Sequence, residues 1–314
     1  MKKYLEDLRK ELKNKSLDDF SIQDIINDLE TMINEAMEEG LSEEDIPKKF
    51  GDPKDLAENL ANDESNEEDE SKEDQVGNLT FDSDNIKAID IKLMSEDIYI
   101  EASDNQSIQV VAENANLKDY NIQEKEGCLY LERKHKPGNI IFRVMRPSGQ
   151  TFKIYLPKEK ELKDIQIKTK NSDGSFSNIS ADNFDLKTMN GDYKFNHVKA
   201  NKLFIKSLSG DFDLDGLKAQ EFVISNVSGD FDITESIIEK ELNISTVSGD
   251  FDIDNTESGP LHYQSVSGDL DAKEFYPESI TMKSVSGDIK FKNKDKNKDI
   301  KILKKQSISG DIEI

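Results

Sequence analysis

The chain has 314 residues, which is enough for about two domains. It carries 66 acidic and 42 basic residues, and its formal charge of −24 excludes proteins that bind nucleic acid by neutralising phosphates. Cys128 is the only cysteine, which excludes an intrachain disulfide. The N-terminal sequence Met1–Asp7 lacks the apolar core of a secretory signal, and no apolar run is long enough to span a membrane. We therefore expect a cytoplasmic protein.

Residues 1–62 predict a small helical domain. Tyr4, Leu5, Leu8 and Leu12 have the spacing of one helix face. A second apolar row follows Ser21 and is closed by Gly40; its members are Ile22, Ile25, Ile26, Leu29, Met32, Ile33, Ala36 and Met37. Further short helices are expected from Ser42 to near Gly51, and from the Asp52-Pro53 pair through Leu56 and Leu60.

Residues 63–77 predict an acidic, disordered linker, because like charges dominate and apolar residues are too few to form a core. Residues 78–170 are rich in alternating apolar residues but lack the repeat described next. We expect this segment to form the N-terminal part and cap of the repeat domain, since the first unit of a stacked array needs protection.

Residues 171–314 repeat one short phrase, a small polar residue followed by Gly, Asp and an apolar residue. From glycine to glycine the steps are 19, 19, 20, 19, 19 and 23 residues. The copies begin at Asn190, Ser209, Ser228, Ser248, Ser267, Ser286 and Ser309. A fixed period of this length indicates stacked structural units.

Each repeat has apolar residues at positions −7, −5, −2, +2 and +4 from its glycine, and we expect all five to be buried. Spacing of two indicates strands with one apolar face. Parity changes at the glycine, so a bend separates two strands, and glycine tolerates the positive φ that a corner can need. The predicted fold class is therefore mainly β: a single-chain β-solenoid, or β-helix, of about 19-residue repeats after a small all-α domain.

Two columns of aspartates are expected along the solenoid, at positions +1 and +3 of the repeats. Their carboxylates repel one another at the ~4.8 Å spacing of stacked strands, so something must offset the repulsion. The first column can accept backbone hydrogen bonds at the corners while the second faces water. Alternatively, the columns form a strip for cationic ligands. The candidate residues are Asp192, Asp211, Asp213, Asp230, Asp232, Asp250, Asp252, Asp269, Asp271, Asp288 and Asp311.

Small polar residues at position −3 predict a hydrogen-bonding ladder that lines the corner. They are Ser207, Asn226, Thr246, Ser265, Ser284 and Ser307. A catalytic serine needs a positioned base, and the three histidines are scattered. No metalloprotease, nucleophile-elbow, phosphate-loop or dinucleotide motif occurs. We expect no enzyme activity, no catalytic residues, no cofactor and no metal.

Two resemblances to known families cover most of the chain. The runs Gly40–Ile46 and Phe50–Ala57 resemble the HAAS-type helical signalling domain of Gram-positive bacteria. The Ser-Gly-Asp corners, with Ile89–Ile91, Ile98–Ile100 and Leu156-Pro157, resemble the bacterial putative-adhesin β-strand repeat family. Similar architectures occur among LiaX-like envelope-stress proteins, and this resemblance implies a non-enzymatic sensing or scaffolding role, with association to the envelope.

The expected function is a binding and signalling protein of the bacterial envelope stress response. The acidic solenoid would bind a protein or a cationic peptide, and the helical domain would contact a regulatory protein; neither nucleic acid nor a membrane span is expected. Two alternatives are open. One is a carbohydrate-active solenoid enzyme, which a row of exposed aromatic residues beside an acidic pair would favour, and the other is a structural surface adhesin.

Overall fold

The computed structural model describes residues 1–15, 22–23, 25–26, 29–30, 33, 37, 42–58, 77–134, 149–295 and 300–314. Its described residues form two compact units. Residues up to 58 form the helical unit, and those from 77 onward form the β unit. The predicted linker lies outside the described residues except for Gly77. In the described part of the chain, no helix has the length and apolar character needed to cross a membrane.

The helical unit is built on apolar residues with helical spacing. Helix α1 (Lys2–Asn14) buries Tyr4, Leu5, Leu8 and Leu12. A turn of 3-10 helix (Glu43–Asp45) follows Ser42 and leads into α2 (Ile46–Phe50), which ends at Gly51; residues 53–58 form a further helix. These elements share one core with Ile22, Ile25, Ile26, Leu29 and Ile33. The predicted end of the second helix at Gly40, and Leu60, lie outside the described residues.

The described residues of the β unit form 23 strands joined in one hydrogen-bonded system. The segment predicted to be the N-terminal part and cap of the solenoid is called the cap. Its first strands are β1 (Gly77–Phe81), β2 (Ala88–Lys92), β3 (Asp97–Ser103), β4 (Ile108–Glu113), β5 (Tyr120–Lys125), β6 (Cys128–Arg133) and β7 (Thr151–Pro157).

The repeat strands alternate between two faces of the solenoid. One face, which we call the aspartate sheet, contains β9 (Gly174–Ser177), β11 (Tyr193–Asn196), β13 (Phe212–Asp215), β15 (Phe231–Thr234), β17 (Phe251–Ser258), β19 (Leu270–Pro277), β21 (Ile289–Lys292) and β23 (Ile312–Glu313). The opposite sheet contains β8 (Glu161–Lys168), β10 (Ser180–Lys187), β12 (Lys199–Lys206), β14 (Lys218–Ser225), β16 (Ile237–Ser245), β18 (Leu261–Gln264), β20 (Ser279–Lys283) and β22 (Lys301–Gln306).

Each repeat strand pairs in parallel with the equivalent strand one repeat away, as in β11–β13 and β10–β12. A rung is one turn of this solenoid, with one strand in each sheet. At the N-terminal end the pattern changes, because β1–β4, β4–β7 and β5–β6 pair antiparallel. The mainly β solenoid and its small helical neighbour confirm the fold class predicted from the 19-residue period.

The core lies between the two sheets and consists of columns of equivalent side chains. Tyr193, Phe212, Phe231 and Phe251 pair in register in the aspartate sheet. Their rings stack with centroid separations of 5.4, 4.5 and 4.8 Å. Positions −7, −5, +2 and +4 are buried in the central repeats, as in Phe222, Ile224, Phe231 and Ile233. Stacking therefore gives each rung the apolar neighbours that a single rung lacks.

The expectation that position −2 joins the core is wrong. This position lies in a bend outside the strands, and its side chains point away from the core with 41–77% of their surface exposed. We call this column the apolar ladder: Met189, Leu208, Val227, Val247, Val266, Val285 and Ile308. The parity change at the glycine therefore separates two buried pairs of positions and leaves the residue between them outside.

The repeat glycines are required mainly by close packing between rungs. A Cβ at Gly210 would lie 2.1 Å from the carbonyl oxygen of Gly191, and one at Gly268 would lie 2.0 Å from that of Gly249. Positive φ applies to only part of the column, for example 120° at Gly210. The predicted glycine corner is present, but its main cause is the approach of one backbone to the next.

A second corner lies at position +6, directly after β11, β13 and β15 and within the longer strands β17 and β19, and the sequence did not predict it. His197, Glu235, Asn255 and Glu274 have φ between 46° and 52° there. Gly216 holds the same position with φ of 64°. Because side chains disfavour this left-handed region, each of the four non-glycine residues stores local strain.

Candidate functional site

The first aspartate column forms a hydrogen-bonded ladder along the corner. Oδ1 of Asp211 accepts from the backbone N–H of Asp230 at 3.0 Å, and Oδ1 of Asp230 accepts from that of Asp250 at 3.0 Å. The same bond recurs at every step, and we call the column the ladder aspartates: Asp97, Asp173, Asp192, Asp211, Asp230, Asp250, Asp269, Asp288 and Asp311. Each carboxylate except the last thus stabilises the next rung, which offsets the repulsion within the column.

The second column lies beside the first on the outward face of the aspartate sheet. We call its members the outer aspartates: Asp213, Asp232, Asp252 and Asp271. They pair in register across four successive strands, so that neighbouring carboxylates are about one strand spacing, ~4.8 Å, apart. The first three are exposed, and Asp271 is half-buried. Together with the ladder aspartates they form the acidic face.

Asp232 lies at the centre of this face, where the negative charges of neighbouring carboxylates surround it. Partial burial raises the pKa of Asp232 above the ordinary value of 3.8, and neighbouring carboxylates raise it further. These neighbours are Asp252, Asp213, Asp230 and Asp211. Like charges disfavour ionisation, and the same neighbouring carboxylates would stabilise a positive charge placed beside Asp232.

Lysines bound the acidic face at its two ends. Lys194 Nζ is 3.9 Å from Asp213 Oδ2, and Lys292 Nζ is 2.7 Å from Asp271 Oδ2. Between them, neither Asp232 nor Asp252 forms an ion pair with any residue that the structure describes. The centre of the face therefore carries uncompensated negative charge.

The structure brings the predicted site residues together in two columns with different environments. The +1 carboxylates accept hydrogen bonds from backbone N–H groups of the following rung. At position +3, by contrast, no described group donates a hydrogen bond to Asp232 or Asp252. Among the described residues, no set of three or more His, Cys, Asp or Glu side chains is arranged to hold a metal ion. The exposed carboxylates can attract cationic groups, and whether they bind a ligand stays a prediction.

Two ladder aspartates were missed because they lie outside the glycine phrase. Asp97 follows Glu96, and Asp173 precedes Gly174 rather than following a glycine. A weaker signal was present: both begin the pattern Asp-x-x-apolar, in Asp97–Ile100 and Asp173–Phe176. The ladder therefore extends into the segment predicted to be the cap.

Sequence reasoning also missed a buried carboxylate in the cap. Glu96 is fully buried and accepts hydrogen bonds from the backbone N–H groups of Met94 and Ser95 and from the Tyr120 hydroxyl. It also contacts the Arg133 guanidinium. Burial alone would raise the pKa of Glu96, but these hydrogen bonds and the Arg133 charge hold it below its ordinary value. Because its carboxylate is buried and satisfied by these groups of the protein itself, we assign Glu96 a structural role.

The remaining candidates have structural environments. The small polar residues at −3 bond to the corner backbone: Ser265 Oγ donates to the Gly268 carbonyl at 3.0 Å and accepts from its N–H at 2.8 Å. Cys128 is half-buried in β6, as expected. His197 directly follows β11 in the aspartate sheet, whereas His262 lies in β18 of the opposite sheet. His135 is outside the described residues. The Phe residues of the aspartate sheet at +2 are buried, so they form no exposed aromatic row beside the acidic face.

Comparison with protein families decides the affiliation of the β unit. The model of the toastrack family DUF4097 matches residues 86–279 and 241–314, which together cover more than half of the chain. The chain belongs to this toastrack family. A second family model, HAAS, matches residues 3–59 in the helical unit. Both matches agree with the resemblances noted in the sequence, whereas the LiaX-like assignment has no support beyond them.

The chain is also similar to solved structures at low sequence identity. A "putative adhesin" from Parabacteroides distasonis ATCC 8503 is 16% identical with a TM-score of 0.50, over 77% of this chain and 98% of that one. A "putative lipid binding protein" from the same organism is 17% identical with a TM-score of 0.49, over 78% and 98%. A "putative adhesin" from Bacteroides fragilis NCTC 9343 is 18% identical with a TM-score of 0.47, over 76% and 97%. No curated protein matches the chain.

Proposed function

We propose that this toastrack protein is a non-enzymatic binding protein of the bacterial envelope stress response. In this proposal the acidic face binds a cationic protein segment or peptide, and the HAAS-type helical unit contacts a second, regulatory protein. The observation that carries the proposal is the state of Asp232 and Asp252. They are exposed, they lie among like charges, and they have no ion-pair partner among the described residues.

A structural role explains the ladder aspartates but does not explain the outer aspartates. The +1 carboxylates hold the rungs together through backbone N–H groups, so the fold itself requires an acceptor there. Carboxylates at +3 raise the free energy of the folded state through mutual repulsion. A bound cationic partner would remove that cost, which supports a ligand-binding role for this column.

The test uses the full-length protein and a dodecalysine peptide labelled for fluorescence anisotropy. Changing Asp213, Asp232, Asp252 and Asp271 to Asn should weaken binding tenfold or more, because four charges leave the contact surface. The wild-type Kd should rise steeply with salt concentration, as expected for exposed charges. Thermal melting should show that the variant remains folded.

A matched control separates the acidic face from the overall negative charge. Glu126, Glu161, Glu239 and Glu278 are exposed on the β unit outside the acidic face, and changing them to Gln removes the same number of charges. This control variant should bind the peptide nearly as tightly as the wild type. Equal weakening in both variants would mean that only net charge matters, and it would contradict the proposed site.

A further inference from the structure

The apolar ladder is an exposed surface that the fold does not require. Its side chains lie at bends between strands, so β-strand propensity does not explain why seven successive rungs carry Met, Leu, Val or Ile there. The exposed fractions of three central members are 41% for Val227, 44% for Val247 and 46% for Val266. By contrast, Phe231, which belongs to the same repeat as Val227, is fully buried. Exposed apolar residues on neighbouring rungs form the kind of surface that marks an interaction site when it is contiguous over more than a few hundred Å².

The two flanks of the apolar ladder differ in charge. On one side, across the glycine column, run the ladder aspartates and beyond them the outer aspartates. On the other side, at position −4, there is no acidic residue. That column consists of Lys187, Lys206, Ser225, Ser245, Gln264, Lys283 and Gln306. A partner that covers the ladder therefore needs basic residues along one edge and neutral or acidic residues along the other.

The backbone carbonyls of the ladder residues already accept hydrogen bonds from the next rung. The carbonyl of Leu208 accepts from the Ser228 N–H at 3.0 Å, and that of Val247 accepts from the Ser267 N–H at 2.8 Å. The serine hydroxyls donate to the same carbonyls, for example Ser267 Oγ to Val247 O at 3.3 Å. An added strand would therefore find no row of free acceptors here, which favours a partner that docks through its side chains.

The dimensions of the ladder fit an α-helix. Six steps of ~4.8 Å between the rungs of Met189 and Ile308 give a length of ~29 Å. At 1.5 Å per residue, a helix of about 19 residues has this length, and its ~5.4 Å pitch is close to the spacing of the ladder. A second copy of this chain fits less well, because each copy carries a formal charge of −24 and an antiparallel pairing of the ladders would bring the two acidic faces together.

We infer that the apolar ladder docks an amphipathic helix of a protein partner, with its apolar stripe on Val227, Val247 and Val266 and its basic flank over the acidic face. This inference rests on the proposed function, since it names the kind of partner that the acidic face binds. The ladder supplies apolar contact, and the aspartates fix the orientation of the helix.

The test uses a designed 19-residue peptide with a leucine stripe, lysines on one flank and an equal number of glutamates on the other, so that its net charge is zero. A second peptide has the same composition with the stripe scrambled. Full-length wild-type protein should bind the first peptide at least tenfold more tightly than the second. Changing Val227, Val247 and Val266 to Thr should abolish this preference, since Thr keeps the shape but not the apolar surface.

The matched control is Ile237→Thr, which alters an exposed apolar residue outside the ladder, 43% exposed, and should leave binding unchanged. The Asn variant of the outer aspartates should weaken binding of the amphipathic peptide; unchanged binding would overturn the proposed orientation. Equal binding of both peptides, or insensitivity to the Thr changes, would overturn the helix inference. If dodecalysine still binds in that case, the proposed function stands; if it does not, both fall.

Discussion

Two substitutions of one ladder aspartate can separate the contribution of its hydrogen bond to stability from the contribution of its charge. Asp230→Asn removes the charge but keeps an oxygen that can accept from the Asp250 N–H, whereas Asp230→Ala removes both. The difference between the two variants therefore measures the hydrogen bond alone. A neutral hydrogen bond contributes about 0.5–1.5 kcal/mol net, so the Ala variant should be less stable than the Asn variant by this amount.

The assay is urea and thermal unfolding of the full-length protein followed by circular dichroism. For a β unit of this size, about 1 kcal/mol corresponds to roughly 2–4 °C in Tm. The matched pair is Asp232→Asn and Asp232→Ala, which should differ little because no described group donates to that carboxylate. If Ala and Asn at 230 are equally stable, or if the same gap appears at 232, the ladder does not hold the rungs together.

Further predictions follow from the packing, the backbone and the acidic face. Phe231→Asp should unfold the β unit, because the ring is fully buried between Phe212 and Phe251, and an unchanged cooperative melt would contradict the stacked core. Gly210→Ala should cost about 2–4 kcal/mol, since its Cβ would lie 2.1 Å from a carbonyl oxygen; a Tm within 2 °C of wild type, as a rough limit, would refute the close approach. Glu235→Gly should stabilise by about 1 kcal/mol by relieving the φ of 48°, and a lower Tm would argue against strain at that corner. The raised pKa of Asp232 means that the folded state binds this proton more tightly than the unfolded state. Its contribution to stability should therefore rise as pH falls through the folded value towards 3.8, and Asp232→Asn should remove that part of the pH dependence in urea titrations at a series of pH values.

The period of the repeat predicts the stacking, but it does not predict which side of a corner a residue occupies. Phe231 and Ile233 alternate within one strand, so their burial follows from spacing alone. Val227 belongs to neither strand, and its apolar character suggested burial that the bend prevents. Apolar character predicts that a side chain is buried only when the direction of the backbone at that residue is already known.

The two corners show the same limit of prediction from sequence, here for the conformation of the backbone. Glycine at position 0 suggested a conformational need, whereas Gly268 is required by contact with Gly249, a residue distant in sequence. At position +6 the left-handed conformation is shared by Gly216 and Glu235, so the sequence gives no common residue type to detect. The backbone at this position is hydrogen-bonded to the next rung, as between the Glu235 N–H and the Asp254 carbonyl at 3.2 Å, and such contacts become visible only after the rungs are stacked.

The sequence predicts the two aspartate columns of the acidic face, but it does not predict which column accepts the backbone hydrogen bonds. Asp230 and Asp232 differ by two positions and face the same side, yet only Asp230 reaches a backbone N–H of the next rung. The same repetition that aligns the core also aligns the surface, so each rung adds one outer position and one ladder position to a shared binding surface. No single residue dominates such a surface. Affinity should therefore depend on how many rungs a partner contacts, and this is why the tests of both proposals change several rungs at once.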